Sequence, residues 1–89
     1  MLQQDITIIN KLGLHARAAA KLVSCAAAFS SKVMIGQEGN LVDAKSIMSV
    51  MMLAAGRGTE LQLQVEGSDE DAALQALQEL IENRFDEDE

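Results

Sequence analysis

The order of apolar and polar residues along the chain predicts four strands. Residues 5–8 (DITI), 32–35 (KVMI) and 40–43 (NLVD) are short runs with alternating or β-branched residues, a pattern typical of strands. Residues 60–66 (ELQLQVE) alternate without interruption and give the clearest strand signal in the chain. The glycines within residues 36–39 favour the positive φ angles of a hairpin between the second and third strands.

Two segments between the strands carry helical signals instead. Residues 16–29 place one apolar face against the rest of the molecule and leave a basic edge for water; that face consists of Ala19, Leu22, Val23, Ala26 and Phe29. Ser46 is a good N-cap for a short helix that ends at Met52 or Ala54, and Gly56 is a good stop for it.

A third helix follows the last strand, and it completes the order β-α-β-β-α-β-α. Residues 68–71 (SDED) are expected to cap it, and its apolar stripe consists of Ala73, Leu74, Leu77, Leu80 and Ile81. Four strands and three one-sided helices predict an α+β fold of two layers, with the helices covering one face of the sheet. Since 89 residues are too few for two cores, we expect one domain over residues 1–89.

Charge is unevenly divided along the chain. The formal net charge is −7, yet residues 68–89 hold nine acids against one base, whereas residues 1–67 hold five acids and six bases. The negative total and the scarcity of aromatic residues, only Phe29 and Phe85, argue against nucleic-acid binding. The basic N-terminal region can still meet one phosphoryl group or an acidic protein surface. We expect the acidic end, residues 86–89, to be frayed.

Metal, disulfide and membrane functions find no support in the sequence. Structural zinc needs about four clustered ligands and a disulfide needs two cysteines, but the chain has one cysteine, Cys25, and one histidine, His15. We therefore expect no metal and no cofactor. The first residues lack the features of a signal peptide, and the longest apolar stretch, residues 47–55, is far shorter than the ~20 residues that span a bilayer. We expect a cytoplasmic protein without membrane insertion.

Residues 13–17 (GLHAR) are the best candidate for chemistry, because the histidine lies between a glycine break and the start of a basic helix. The first N–H groups of a helix have no intrahelical partners, and with the helix dipole they favour an anion held there. Arg17 can add a charge-assisted contact. One nitrogen of His15 can attack phosphorus while the other donates a hydrogen bond that fixes the tautomer. Local chemistry alone nevertheless favours the simpler interpretation of His15 as a helix cap or surface residue.

The predicted second helix offers another candidate surface. Ile47, Met48 and Met51 follow Ser46 at helical spacing, which more often indicates core packing than an interface. A short helix cannot easily bury all three. Residues 56–58 (GRG) lack the ending of a phosphate-binding loop and predict a turn.

Residues 10–17 (NKLGLHAR) resemble the active-site segment of the HPr family, the histidine phosphocarriers of the bacterial phosphoenolpyruvate-dependent phosphotransferase system. Residues 44–51 (AKSIMSVM) are similar to the second motif of that family, in which a regulatory serine begins a short helix. The two motifs stand at the expected separation. The resemblance implies an open-faced β-sandwich, with a four-stranded antiparallel sheet covered on one face by three helices.

The resemblance also implies a function in sugar transport: a carrier, rather than a free-standing enzyme, that holds a phosphoryl group on His15 beside Arg17. Enzyme I would be the donor, enzyme IIA domains the acceptors, and an HPr kinase/phosphorylase would phosphorylate Ser46 where the source organism has one. The implied partner-binding residues are Ala16, Ala20, Lys21, Ile47, Met48 and Met51. We expect a monomer. The family usually has proline after the arginine where this chain has Ala18, and since alanine is a strong helix former we expect the cap to survive.

Two alternatives remain open at this point. The related nitrogen-linked branch shares the fold and the histidine, and the sequence does not separate it from sugar transport. A purely regulatory module of the same fold would act through Ser46 without phosphotransfer, but such a module would be expected to lack His15, which is present. An independent hydrolase is a poor match, because no second general base accompanies a nucleophile.

Overall fold

The computed structural model describes residues 1–37 and 39–87, and within them the predicted order of elements is confirmed. The elements are β1 (Leu2–Thr7), α1 (Ala16–Ala27), β2 (Lys32–Gln37), β3 (Asn40–Asp43), α2 (Ile47–Met52), β4 (Glu60–Glu66), α3 (Glu70–Glu82) and a 3-10 turn (Arg84–Asp86). The predicted hairpin between β2 and β3 turns through Gly39 at φ 82°, while Glu38 lies outside the described residues.

The four strands form one antiparallel sheet in the order β1-β4-β2-β3, so β4 lies between β1 and β2. Successive side chains of a strand point to opposite faces, and β4 accordingly buries three residues on one face, namely Leu61, Leu63 and Val65. Its alternate glutamines are only partly covered. β1 begins earlier than predicted because Leu2 pairs with Val65 at the far end of β4, and it ends before Ile8, which is buried outside the ladder.

The three helices pack on the apolar face of the sheet and against one another. The largest fully buried apolar side chains come from strands, helices and the C-terminal turn alike, and include Ile8, Leu22, Ile35, Leu63, Leu77 and Phe85. Each such side chain contributes about 1.5–3 kcal/mol by leaving water. The predicted α+β fold, an open-faced sandwich of a four-stranded antiparallel sheet and three helices, is confirmed.

The predicted apolar faces of α1 and α3 are also confirmed. α1 buries Ala19, Leu22 and Ala26, with Ala18 fully buried beside them, and Val23 is partly buried against the core. The helix ends at Ala27, earlier than predicted, so Phe29 packs partly against the core from the segment after it. α3 buries Ala73, Leu77 and Ile81 and packs its remaining leucines partly against the core.

The end of α2 at Met52 is one of the two predicted ends, but the predicted stop at Gly56 is wrong. The helix ends at Met52 and the chain turns at Ala54, whose φ is 51°, so Gly56 does not stop it. The reason is a tertiary contact: the carbonyl of Ala55 accepts a hydrogen bond from the backbone N–H of Leu14 at 2.8 Å. The chain must leave the helix early to bring these two backbones together. Residues 57–58 form the predicted turn.

The start of α3 uses its acids differently from the prediction. Asp69 occupies the N-cap position but makes no side-chain bond to its own helix. Its carboxylate instead accepts from the backbone N–H groups of Ser30 and Ser31, each at 2.9 Å, and from both hydroxyls. The hydrogen bond from the Ser31 hydroxyl, followed by that from the Ser30 N–H, lowers the pKa of Asp69 to about 2. Asp69 therefore joins the start of α3 to the loop after α1.

Candidate functional site

His15 is the N-cap of α1. Its backbone is extended, with φ −73° and ψ 177°, and its Nδ1 accepts a hydrogen bond from the N–H of Arg17 at 3.3 Å. The ring thus satisfies one of the first N–H groups of α1, which have no intrahelical partner. About a quarter of the side chain remains exposed, 26% of its surface. The histidine is therefore both held by the helix and open to a second molecule.

The loop before His15 is fixed by close backbone contact. Gly13 has φ 66°, and a Cβ at this position would lie 2.5 Å from the carbonyl oxygen of Ala55. Real Cβ atoms do not approach that closely. The fully buried Asn10 donates through Nδ2 to the carbonyl of Gly13 at 2.8 Å. Only glycine therefore fits this turn, which delivers His15 to the start of α1.

The C-terminal segment reaches the same site, and Asp86 and Glu87, which we expect to belong to a frayed end, make defined hydrogen bonds. Phe85 is fully buried, and the 3-10 turn around it directs the chain back over α1. The carboxylate of Glu87 then binds two partners, with Oε1 2.9 Å from Asn10 Nδ2 and Oε2 2.7 Å from His15 Nε2. Burial of an apolar side chain outweighs the tendency of acids to stay in water. The other two acids of this end, Asp88 and Glu89, lie outside the described residues.

The protonation of the site follows from these contacts. Partial burial of Glu87 acts to raise the pKa of its carboxyl group. Hydrogen bonds from Asn10 and His15 act in the opposite direction, and so do the positive charges of His15 and Arg17. Together these outweigh the burial, so the pKa of Glu87 is lowered. An ionised carboxylate only accepts hydrogen bonds, so Nε2 of His15 carries the proton. In the neutral ring Nδ1 is then the acceptor, in agreement with the N–H of Arg17 that points to it.

The predicted basic residues of α1 take different positions. Arg17 is exposed, and its charge acts on Glu87. Lys21 is half-buried, and its ammonium group donates to the carbonyl of Phe85 at 2.7 Å. Ala16 and Ala20 are exposed on the helix. Arg17 therefore lies free to meet a ligand, whereas Lys21 holds the C-terminal segment.

The predicted second motif forms an exposed apolar surface next to α1, since α1 and α2 pack together. Ser46 is the N-cap of α2, and its hydroxyl accepts from the N–H of Ser49 at 3.3 Å. The core interpretation of the following residues is wrong because α2 buries only Val50. The exposed apolar side chains of α2 are Ile47, Met48, Met51 and Met52, and outside this helix Met1, Ile9 and Leu12 are exposed as well. Sequence reasoning missed Leu12 and Met52.

The described residues hold no cluster of three or more histidine, cysteine or acidic side chains that could bind a metal ion. Within them, no helix is long and apolar enough to cross a bilayer. Cys25 is a free, half-buried thiol whose burial raises its pKa.

Known proteins share both the fold and the sequence of this chain. Residues 2–83 match the PTS-HPr family model, described as the PTS HPr component phosphorylation site. Phosphocarrier protein HPr of Pseudomonas aeruginosa is 63% identical over 86 residues, which are 96% of either chain. A crystal structure of HPr-C-His from Thermoanaerobacter tengcongensis matches with a TM-score of 0.95 and 44% identity over the whole of both chains. An HPr dimer from the same organism matches with a TM-score of 0.78 and 45% identity over 98% of this chain and 100% of the other.

An open antiparallel sheet under three helices, with a partly exposed histidine capping the first helix, defines the class of small histidine phosphocarriers. The chain belongs to the HPr family and is a phosphocarrier of the phosphotransferase system. The family implies partners within that system, such as enzyme I and enzyme IIA.

Proposed function

We propose that His15 accepts a phosphoryl group on Nδ1 from enzyme I and passes it to an enzyme IIA domain in sugar transport. The orientation of the ring carries this proposal. Nε2 is covered by the carboxylate of Glu87 at 2.7 Å, whereas Nδ1 faces the start of a 12-residue helix. A phosphoryl group on Nδ1 meets the first N–H groups and the positive end of the helix dipole.

The transfer uses groups already in place. The lone pair of Nδ1 attacks phosphorus, and the bond from phosphorus to the donor breaks, with its electron pair remaining on the donor. The N–H of Arg17, which donates to Nδ1 in the free protein, then donates to a phosphoryl oxygen. The exposed guanidinium of Arg17 can add a charge-assisted contact to the same group.

Incubation with enzyme I and phosphoenolpyruvate tests this proposal, with intact mass and peptide mapping as readouts. The parent chain should gain one acid-labile phosphoryl group on His15, and His15→Ala should gain none. Ser46→Ala is the matched control, because it removes the other proposed phosphorylation site and should be labelled like the parent. Labelling of His15→Ala at the parent rate would refute the assignment.

We propose that partners dock on one surface around His15, formed by Ala16, Ala20, Lys21, Ile47, Met48 and Met51. The three apolar side chains from α2 are 41%, 69% and 42% exposed, which is unusual for large apolar residues that serve only the fold. Methionine side chains adapt to differently shaped partners. Such a surface suits a carrier that must fit a donor and several acceptors in turn.

We propose Ser46 as a regulatory site for an HPr kinase/phosphorylase, since its partly exposed hydroxyl lies directly before the apolar residues of this surface.

We also propose a cytoplasmic monomer. Sedimentation of the purified protein tests this point, and a stable dimer at micromolar concentration would contradict it.

A further inference from the structure

The segment from Arg84 to Glu87 lies after residues 2–83, the stretch that matches the family model, and it ends on the ring of His15. We propose that Glu87 is a positioning residue for phosphoryl transfer, which holds the Nε2 side of the ring and balances the positive charge that the ring acquires. This inference rests on the proposed function of His15. Three independent contacts support it.

The first contact anchors the segment in the core. Phe85 has no exposed surface, and the turn that places it there keeps Arg84, Phe85 and Asp86 at φ 55°, 56° and 62°. The left-handed region is unfavourable for residues other than glycine. Three such residues in succession persist only where the surroundings compensate for them, and the burial of the phenyl ring does so.

The second contact ties the segment to the helix that carries the histidine. The ammonium group of Lys21 donates to the carbonyl oxygen of Phe85 at 2.7 Å. Lys21 lies in the second turn of α1, whose N-cap is His15. The segment and the histidine are therefore both attached to α1. This shared helix fixes the distance between them.

The third contact orients the carboxylate. Oε1 of Glu87 accepts from Nδ2 of the fully buried Asn10, and the same amide group donates to the carbonyl of Gly13 in the loop before His15. With Oε1 fixed, Oε2 points to Nε2 of His15. Only 15% of the Glu87 side chain is exposed, so water competes weakly for this bond. Charge-assisted hydrogen bonds of this kind are short and strong.

The arrangement has a consequence for the chemistry. When Nδ1 forms its bond to phosphorus, the donor keeps the electron pair of the broken bond, and the imidazole, still protonated at Nε2, becomes positively charged. The carboxylate on Nε2 stabilises that charge in place. In the onward step a nucleophile of the acceptor forms the new bond to phosphorus, the electron pair of the bond between phosphorus and Nδ1 returns to Nδ1, and the ring becomes neutral again. The carboxylate lies on the side of the ring away from Nδ1, where it does not obstruct the approaching phosphorus.

The test compares Glu87→Gln with Asp86→Asn. Both variants replace a carboxylate by an amide, and Asp86 is the exposed neighbour in the same turn. We expect Glu87→Gln to lower kcat for phosphorylation by enzyme I about tenfold, with KM unchanged, as for other residues that orient a reacting ligand. Asp86→Asn should transfer at the parent rate. Thermal unfolding of both variants controls for loss of structure.

The proton NMR signal of the His15 ring supplies a second measurement, and this signal would not change if Glu87 only stabilised the fold. The Nε2 proton of His15 should give a hydrogen-bonded, downfield signal in the parent and in Asp86→Asn, and this signal should be lost or shifted upfield in Glu87→Gln. Equal kcat for the two variants, or faster transfer by Glu87→Gln, would overturn the positioning role while leaving His15 as the phosphoryl acceptor. A parent chain that takes no label at His15 would overturn both proposals.

Discussion

At the scale of single residues, the two interpretations of His15 are compatible. Local chemistry favoured a simple helix cap, and the ring does cap α1 through Nδ1. The same geometry directs Nδ1 to the one place in α1 where backbone N–H groups are available to an anion. Capping is therefore the way in which the fold presents the nitrogen that we propose as the phosphoryl acceptor, and it does not compete with the carrier function.

The guanidinium of Arg17 provides the first residue-level prediction. Arg17→Ala should slow phosphorylation by enzyme I, because it removes a charge-assisted contact worth about 1.5–3 kcal/mol, which is roughly a ten- to hundredfold change in rate. Lys32→Ala is the control: it also removes one positive charge, but from an exposed strand end that pairs with Glu66. Transfer rates are measured for both variants at matched ionic strength. Equal rates would exclude Arg17 from the site.

The contact between His15 and Glu87 could not be predicted from the sequence. Glu87 belongs to a run of acids, and such runs are usually solvated ends. One signal was present, since Phe85 is a large apolar residue directly before that run. The pattern does not show where its ring is buried, because that depends on how α1 and α3 pack together.

At the scale of elements, the bounds of a strand or helix could be predicted from the sequence where neighbouring residues alone determine them. β4 was predicted with its observed bounds because uninterrupted alternation makes one face apolar along its whole length. α2 ends at Met52, one of its two predicted ends, but Gly56 does not stop it, because the chain beyond the helix follows the hydrogen bond between Leu14 and Ala55, which lie far apart in sequence. Asp69 was placed correctly before α3, but its partners Ser30 and Ser31 come from another loop. Long-range contacts, not local propensity, decided these details.

The loop before α1 provides an element-level prediction. Gly13→Ala should destabilise the fold by at least about 1–3 kcal/mol, because alanine is strained at φ 66° and its Cβ meets the backbone of Ala55 and Gly56. Gly58→Ala is the matched control, since Gly58 has φ 89° but nothing within 4 Å of a Cβ. Denaturant unfolding measures both, and transfer by Gly13→Ala should also slow as His15 is displaced. Equal destabilisation would show that backbone strain alone matters and crowding does not.

The start of α3 provides a prediction about pH. The pKa of Asp69 is about 2 in the folded chain and 3.8 in its reference state, so its stabilising effect is complete above about pH 4 and is lost as the pH falls towards 2. Asp69→Asn should therefore be less stable than the parent near neutral pH, with a difference that shrinks in acid. Asp71→Asn, which removes a charge from an exposed site in the same turn, should show no such convergence. Urea unfolding between pH 2 and 7 gives the comparison, and a constant difference for Asp69→Asn would contradict the argument.

At the scale of the whole molecule, the basic N-terminal region and the acidic C-terminal region are only partly separated in space. The acidic C-terminal part folds back, and Glu87 lies against the basic start of α1. The exposed guanidinium of Arg17 and the apolar side chains of α2 remain available beside it. A partner that docks here meets the positive charge of Arg17, an adaptable apolar surface and a histidine whose Nε2 is already hydrogen-bonded. That combination suits a donor or acceptor with an acidic rim around an apolar centre.

Ser46 provides the last prediction, which concerns this docking surface. A phosphate there carries about −1.5 to −2 charges, and Ile47, Met48 and Met51 would have to pack against a partner beside a strongly hydrated group. An acidic partner would also be repelled.

Ser46→Asp imitates part of this charge. Since aspartate is itself a good N-cap, the variant should melt like the parent yet accept phosphoryl groups from enzyme I more slowly. Ser46→Ala should transfer normally and lose about 0.5–2 kcal/mol of stability with its cap. Melting curves and transfer rates at matched ionic strength separate the two effects, because stability should fall only in the alanine variant and transfer only in the aspartate variant. Aspartate and alanine variants with equal transfer rates would show that a charge at Ser46 does not reach the surface on which enzyme I docks.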